Sequence, residues 1–390
     1  DALPSVVGAA AGVSTLRLLV AEVAGGRRRP ATFALDRRAF LRTGAVLTGS
    51  VVAAVAVGRT LQARLGAVAS RAAVVLPRAS SPLPPLAEGV DLAIDGLSPF
   101  VTPNDGFYRI DTALFVPQVI AEDWELRVHG MVERELRLSY AELLARPLVE
   151  ADITLSCVSN EVGGDLVGNA RWQGVRLADL LAEAGVRDGA TQLVGRSIDG
   201  FTNGFPTEVA LDGRDALVAV GMNGEPLPIK HGFPVRLVVP GLYGYVSATK
   251  WLAEIELTTL DAFDGYWIRR GWSKDAPVKT QSRIDVPGGG GRLSPGRQPV
   301  AGVAWAPTRA VERVEVQVDD EPWVEARLAE VPGDATWRQW VHQWDATPGT
   351  HRIRSRATDG RGATQPEERV PPIPDGATGW HAIEVVVEGS

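Results

Sequence analysis

His231-Gly-Phe-Pro-Val-Arg236-Leu-Val-Val-Pro240-Gly-Leu-Tyr243-Gly-Tyr245-Val-Ser247-Ala-Thr249-Lys250-Trp251-Leu252 is the stretch on which the reading of this chain turns. Its short apolar run, Val235 to Val239, is bounded by Gly and Pro and flanked by cations, the pattern of a buried strand feeding a Gly-rich turn. Arg236 offers a bidentate fork, Lys250 a point charge, and the glycines leave backbone amides accessible, which together suit a phosphate-bearing ligand. Ordinary strand-end charge is the competing reading.

Upstream, Ile153-Thr-Leu-Ser-Cys157 is a second strand-like run, followed by Val158-Ser-Asn160-Glu161-Val162-Gly163-Gly164, a turn in which backbone can approach a bulky ligand closely. Cys157 is the one cysteine of the chain. Taken alone it reads first as a small buried hydrophobe, with metal ligand or nucleophile as the alternatives. A single Cys excludes an intramolecular disulfide and cannot hold an iron–sulfur cluster; neither a cluster nor haem is expected in this chain.

At 390 residues and 45% hydrophobic content the chain is too long for one ordinary core, so two folded units behind a leader are expected. Residues 1–80 carry eleven Arg against three acids, a balance of +8, while 81–390 hold 29 basic and 44 acidic residues, or −15. The acidic remainder offers no footprint for nucleic acid. Asp36-Arg37-Arg38-Ala39-Phe40-Leu41-Arg42 resembles a twin-arginine export motif, and a weakly hydrophobic run, Gly44 to Gly58, follows it. Residues 1–80 are therefore expected to be a membrane-anchoring leader, with the body on the extracytoplasmic side of the cell membrane.

Residues 81–88, with Ser-Ser-Pro-Leu-Pro-Pro-Leu at 80–86, read as a stiff linker. From 89 to 285 short apolar runs alternate with helical segments at Ser139 to Ala145 and Leu177 to Ala184, an α+β pattern. Ser139-Tyr-Ala-Glu142 has the spacing of a capping box. After a Gly288 to Gly291 tether, residues 292–390 show period-two alternation at Val311 to Asp319, Thr350 to Ala357 and Trp380 to Val387, the signature of a β-sandwich.

Leu155-x-Cys157-x-x-Asn160, followed by His231-Gly-x-Pro-x-Arg236-Leu-Val-x-Pro-Gly and Lys250-Trp-Leu, resembles the sulfite-oxidase superfamily over nearly the whole body, Gly89 to Glu388. The resemblance implies a mixed α+β domain that binds a mononuclear molybdenum pyranopterin, followed by an immunoglobulin-like domain. It makes Cys157 the thiolate ligand of the metal and assigns His231, Arg236, Ser247, Thr249 and Lys250 to the pterin and its phosphate. Asn104, Tyr108 and Arg109 fall in the family's N-terminal cofactor segment, and Ser197 matches a hydroxyl that contacts the cofactor. Arg109, Arg270 and Trp272 join Cys157 as candidate catalytic residues, with Trp267 to Trp272 read as substrate channel or as an interdomain strap.

The expected activity is two-electron oxygen-atom transfer on a small molecule that is sulfite-like, a sulfoxide or a related oxide. Electrons would pass to a separate partner, a cytochrome or a quinone-linked membrane protein, and a homodimer through the C-terminal domain is the expected assembly. One departure bears on substrate: family members carry basic residues just after the Cys-x-x-Asn turn, whereas Glu161 and Val162 stand here. A carboxylate near the metal would oppose an oxyanion, with Arg109, Arg171, Arg269 or Arg270 as compensation. Two rivals stand beside this reading. One is a cofactor-free, membrane-tethered interaction module with an immunoglobulin-like domain; the other is a Cys-His hydrolase using His129, His231, His342, His351 or His381.

Overall fold

The structure, a computed structural model, describes Gly49, Gly58, Arg59 and residues 65–389, and the chain divides into two compact units, Asp1–Ser70 and Arg71–Ser390. The twin-arginine-like motif and most of the hydrophobic run behind it lie outside the described residues. Among the described residues no helix is long and apolar enough to cross a membrane.

Within Arg71–Ser390 the elements are mostly strands. The expected α+β balance gives way to a β-rich body whose helices are short: Tyr140–Leu144, Leu177–Ala184 and Gly244–Ser247. The first two lie where helices are expected. Ser139 accepts from the Glu142 amide while the Glu142 carboxylate accepts from the Ser139 amide, so the capping box closes in both directions. In the helix Leu177–Ala184 the residues Leu177, Leu180, Leu181 and Ala184 form the buried stripe.

The first domain holds two sheets. One has the order Leu136–Ser139, Glu125–Gly130, Leu252–Thr258, Gln192–Ser197, Thr202–Pro206. The other runs Val149–Ser156, Val167–Arg176, Leu217–Met222, Glu225–Pro226, with Arg236–Val238 pairing to Leu217–Met222. Strand Val149–Ser156 alternates apolar and polar residues yet is buried along almost its whole length, its buried polar side chains being answered within the fold: Asp152 by Arg171 at 2.9 Å and Thr154 by Asn169 at 3.0 Å. It delivers Cys157 to a loop closed on itself: the Cys157 amide donates to the Leu166 carbonyl at 2.9 Å, and the Asn160 side-chain oxygen accepts from the Leu166 amide at 2.9 Å.

The second domain is a two-sheet sandwich. Gln281–Val286, Gly296–Trp305, Arg338–Ala346 and Arg327–Leu328 form one sheet, and Arg292–Leu293, His381–Val387, Gly349–Asp359, Val311–Val318 and Val324–Glu325 the other. Val300, Val314, Trp340, Ile353 and Val385 fill the space between them. Strand Gln281–Val286 pairs with Gly296–Trp305, so a first domain reaching to 285 takes in a strand of the sandwich. Its residues Gln281 to Ile284 are all buried although three of them are polar: Gln281 donates to Ala377, Ser282 to Gln365 and Arg283 to Gly164, so the segment lacks the apolar run that would have marked it.

The Pro-rich segment at 81–88 is docked rather than free. Ser81 bridges Val149, the Leu83 amide donates to Glu150 at 2.8 Å, and Arg171 donates to the Pro84 carbonyl at 3.1 Å. Proline cannot continue a ladder but is tolerated along a sheet edge. The two domains share a core: the Trp337 indole donates to the Phe100 carbonyl at 2.9 Å, its amide donates to the Thr154 hydroxyl at 2.7 Å, and Trp305 and Trp337 pack in the first domain's cluster.

Candidate functional site

Cys157, 7% exposed, lies on the floor of a cleft that is open to solvent. Tyr108, Ser197, Arg236, Lys250 and Trp272 line it together with Cys157, so half of the twelve residues singled out from the sequence converge here.

The floor is unusual in its charges. Burial pushes the Cys157 thiol up, while the Ser159 amide and hydroxyl, which donate to the sulfur, and the Lys250 charge pull the other way. Arg236 is 3% exposed. Its guanidinium donates to the carbonyl of His231 at 3.1 Å and stands 5.0 Å over the Trp172 ring, and among the described residues no carboxylate pairs with it. Burial drives its pKa down to about 10, with Tyr108 opposing. Burial likewise takes Lys250 down to about 8, with Arg236 adding to the effect and Asp111 opposing it. The Lys250 ammonium donates to the Ile110 carbonyl at 3.0 Å and to Asp111 at 3.3 Å. Burial raises the Asp111 carboxyl, but Arg109 and Lys250 outweigh it and hold the group below its usual value.

Two features show a site shaped for something larger than water. His231 is fully buried; its Nε2 donates to the Asn104 carbonyl at 2.9 Å, which leaves Nδ1 buried without a partner. Burial, assisted by Arg236 and the two lysines, takes its pKa to about 4, so the ring is neutral at ordinary pH. Gly232, at φ +111°, follows in the left-handed region, and a Cβ there would lie 3.1 Å from Lys250 and 3.2 Å from Arg236, so only glycine brings the two cations this close to the turn. An unanswered buried guanidinium, a buried ammonium and an orphaned imidazole nitrogen around one thiol fit a phosphate-bearing, sulfur-ligated cofactor.

The other singled-out residues lie elsewhere. Asn104 spends its amide on Glu225 and Met222 and accepts from Asn223, tying the segment ahead of Tyr108 to the second sheet. Arg109 points outward onto Asp111, 2.8 Å away, with its side chain 39% exposed. Ser247 donates to the Tyr243 carbonyl at 3.0 Å and Thr249 to Asn203 at 2.8 Å, so both hydroxyls brace the turn beneath Lys250. Arg270 donates to the Tyr266 carbonyl and stacks 3.5 Å over that ring, outside the lining.

Glu161 corrects the substrate argument. Its side chain is 68% exposed and faces Arg369 of the second domain at 3.6 Å, so it does not oppose an anion at Cys157. Nor do the four proposed compensating arginines reach the cleft: Arg171 is held by Asp152 and Pro84, and Arg109, Arg269 and Arg270 are absent from its lining. Lining residues passed over in the sequence are Asp111, Ser159, Asp199, Phe201 and Tyr245. Asp111 had a signal, since a carboxylate two residues after Arg109 is the natural counter-ion for it.

A nucleophilic thiol would need a base, and among the described residues no histidine bonds Cys157; His231 is turned to Asn104. Nor do the described residues contain a cluster of three or more His, Cys, Asp or Glu able to hold a metal, so an ion here would depend on donors brought by its own cofactor.

Comparison with known proteins agrees. Residues 113–267 match the profile of the oxidoreductase molybdopterin binding domain. The chain is 31% identical over 341 residues to mitochondrial sulfite oxidase of Mus musculus, covering 74% of this chain and 62% of that protein. It is 31% identical over 323 residues to sulfite oxidase of Gallus gallus, covering 70% and 69%. The fold resembles that of the sulfane dehydrogenase SoxCD of Paracoccus pantotrophus, with a TM-score of 0.64 at 24% identity over 76% of this chain and 85% of that one. The chain thus spans under two thirds of the mouse enzyme's length, and the residues matched by the profile include Cys157, Arg236 and Lys250. With the profile match and the identity to the chicken enzyme in agreement, the chain belongs to the sulfite-oxidase superfamily of molybdopterin-binding oxidoreductases.

Proposed function

We propose that this chain is a molybdenum-cofactor oxidoreductase that carries out two-electron oxygen-atom transfer on a small molecule. The observation that carries the reading is the floor of the cleft: the chain's one thiol beside a buried guanidinium and a buried ammonium. When bound, the cofactor would supply the metal and dithiolene sulfurs at which oxygen transfer and electron storage occur. The chain's own part is binding and orientation. Cys157 would ligate the metal through sulfur, giving up its proton, and the metal's positive charge would stabilise the thiolate that burial alone disfavours. Arg236 and Lys250 would hold the phosphate, the neutral His231 would offer Nδ1 as an acceptor, and Tyr108, whose phenol burial and the nearby Cys157 keep protonated, would hold a donor over the floor.

The basic leader and its twin-arginine-like motif support an extracytoplasmic, membrane-anchored enzyme, because that route exports proteins already folded around a cofactor. A chain with one cysteine supports electron transfer to a separate carrier, a cytochrome or a quinone-linked protein. The sandwich domain is the proposed dimer interface.

The deciding experiment is inductively coupled plasma mass spectrometry on protein from a cofactor-competent host, beside Cys157→Ser. Near-stoichiometric molybdenum in the wild type, lost in the variant, is the expected result. A wild type free of molybdenum overturns the proposal in favour of a cofactor-free module.

A further inference from the structure

We infer that the cleft accepts an uncharged organic oxide with an apolar body, a sulfoxide carrying a bulky substituent, in preference to an inorganic oxyanion such as sulfite; this rests on the oxygen-atom-transfer reading above.

The first ground is charge. The cations lining the cleft are Arg236, which is 3% exposed, and Lys250, whose side chain is 11% exposed and paired with Asp111. A phosphate monoester carries up to two charges and would engage both. What then faces a substrate is acidic or neutral: Asp111, already shared by Arg109 and Lys250, and Asp199 at the rim. Arg109 and Arg270, which flank lining residues in the sequence, are committed elsewhere, Arg109 to Asp111 and Arg270 to Tyr266. An oxyanion entering here would shed water without gaining a cation, which is unfavourable in a partly buried site.

The second ground is the wall. Trp267, Trp272 and Tyr245 form a continuous aromatic surface, with ring centroids 6.3 Å apart for the two tryptophans and 5.7 Å for Trp272 and Tyr245. The Tyr245 hydroxyl is spent on the Ser273 carbonyl at 2.5 Å, so this residue presents its ring rather than its polar end. Aromatic faces of this kind gain by covering an alkyl or aryl group and offer nothing to a hydrated oxyanion. The Tyr108 phenol and the Ser197 hydroxyl, also in the lining, are neutral donors suited to one polarised oxygen.

The reaction balances as R–S(=O)–R′ + 2 e⁻ + 2 H⁺ → R–S–R′ + H₂O. The sulfur–oxygen bond breaks, the sulfoxide is reduced, solvent supplies the protons, and two equivalents of a one-electron donor, a reduced viologen in the assay, are oxidised. The test compares kcat/KM of molybdenum-assayed holoenzyme for methyl p-tolyl sulfoxide and dimethyl sulfoxide, read by viologen oxidation, with sulfite, read by ferricyanide reduction. The aryl sulfoxide should exceed dimethyl sulfoxide by at least about tenfold, with sulfite lowest. Trp272→Ala should erase the aryl preference through KM at unchanged molybdenum content, and Trp272→Phe should restore it. Sulfite turned over best, or no aryl preference in the loaded wild type, overturns this inference and leaves the oxygen-atom-transfer reading intact. Protein without molybdenum overturns that reading instead.

Discussion

Arg236 in the first domain and Arg309 in the second are both withdrawn from water, yet the fold treats them in opposite ways. Arg309 meets Asp359 at 2.9 Å, with side-chain exposures of 14% and 3%, and adds bonds to the Val278 carbonyl and the Thr280 hydroxyl. Burial raises the Asp359 carboxyl, but Arg309 and Thr280 more than offset it. Arg236 has backbone carbonyls and an indole face, and among the described residues no carboxylate. A charge answered within the chain supports the fold, whereas one left unanswered supports something else. That contrast locates the ligand better than any motif does.

The comparison can be broken most readily at Arg309. Arg309→Met strands the buried Asp359 charge and should cost about 3–5 kcal/mol in urea unfolding of the cofactor-free protein. A loss below about 1 kcal/mol would remove the contrast. Next in size is the pH response of Lys250. Its folded pKa near 8 lies below the unfolded value of 10.5, so between the two the unfolded state holds the extra proton and stability rises with pH. The gain across that window should reach up to about 3 kcal/mol and vanish in Lys250→Met, while affinity for inorganic phosphate falls over the same range. A flat profile in the wild type would mean that Asp111 fully answers the ammonium.

Smaller still is Arg236→Met. Replacing an unpaired buried charge by an apolar side chain of similar length should leave the cofactor-free protein unchanged or stabilise it by about 1–2 kcal/mol, while molybdenum retention in the purified protein collapses. Destabilisation beyond about 2 kcal/mol would make Arg236 a structural residue like Arg309. The smallest effect is expected of Glu161→Gln. Its pair with Arg369 is exposed on both sides, so stability should move by no more than about 0.5 kcal/mol, and the sulfite-to-sulfoxide ratio should not move at all.

The helices at Tyr140 and Leu177 and the strands at Val311, Gly349 and His381 were legible because local rules decide them: a capping box, a 3.6-residue stripe and a two-residue alternation. Cys157, Arg236 and Lys250 were legible as a set because each lies at the end of a recognisable run. Side-chain direction was not. Glu161 turns out to Arg369 of the sandwich, and Arg109 swings to the carboxylate two residues on, each a choice of rotamer rather than of sequence position. Strand Gln281–Val286 escaped because four of its six residues, Gln281, Ser282, Arg283 and Asp285, are polar even where they are buried, so no apolar run marks it. The docking of 81–88 escaped because proline content speaks for stiffness and not for what the segment lies against.

The loop that carries the thiol is not held by its own domain alone. Arg283 of the sandwich donates to the Gly164 carbonyl at 2.8 Å and to Ser98 at 2.8 Å, while the His381 ring fills the space where a Cβ on Gly163 would come within 2.3 Å. The two halves of this body are therefore poor modules for exchange. A first domain grafted onto a foreign sandwich would keep Cys157, Arg236 and Lys250 and still lose the registration of its sulfur. Recombination should be tolerated only where Arg283, His381 and the two glycines travel together, as one inherited unit spanning a boundary that the strand pattern alone would have drawn between them.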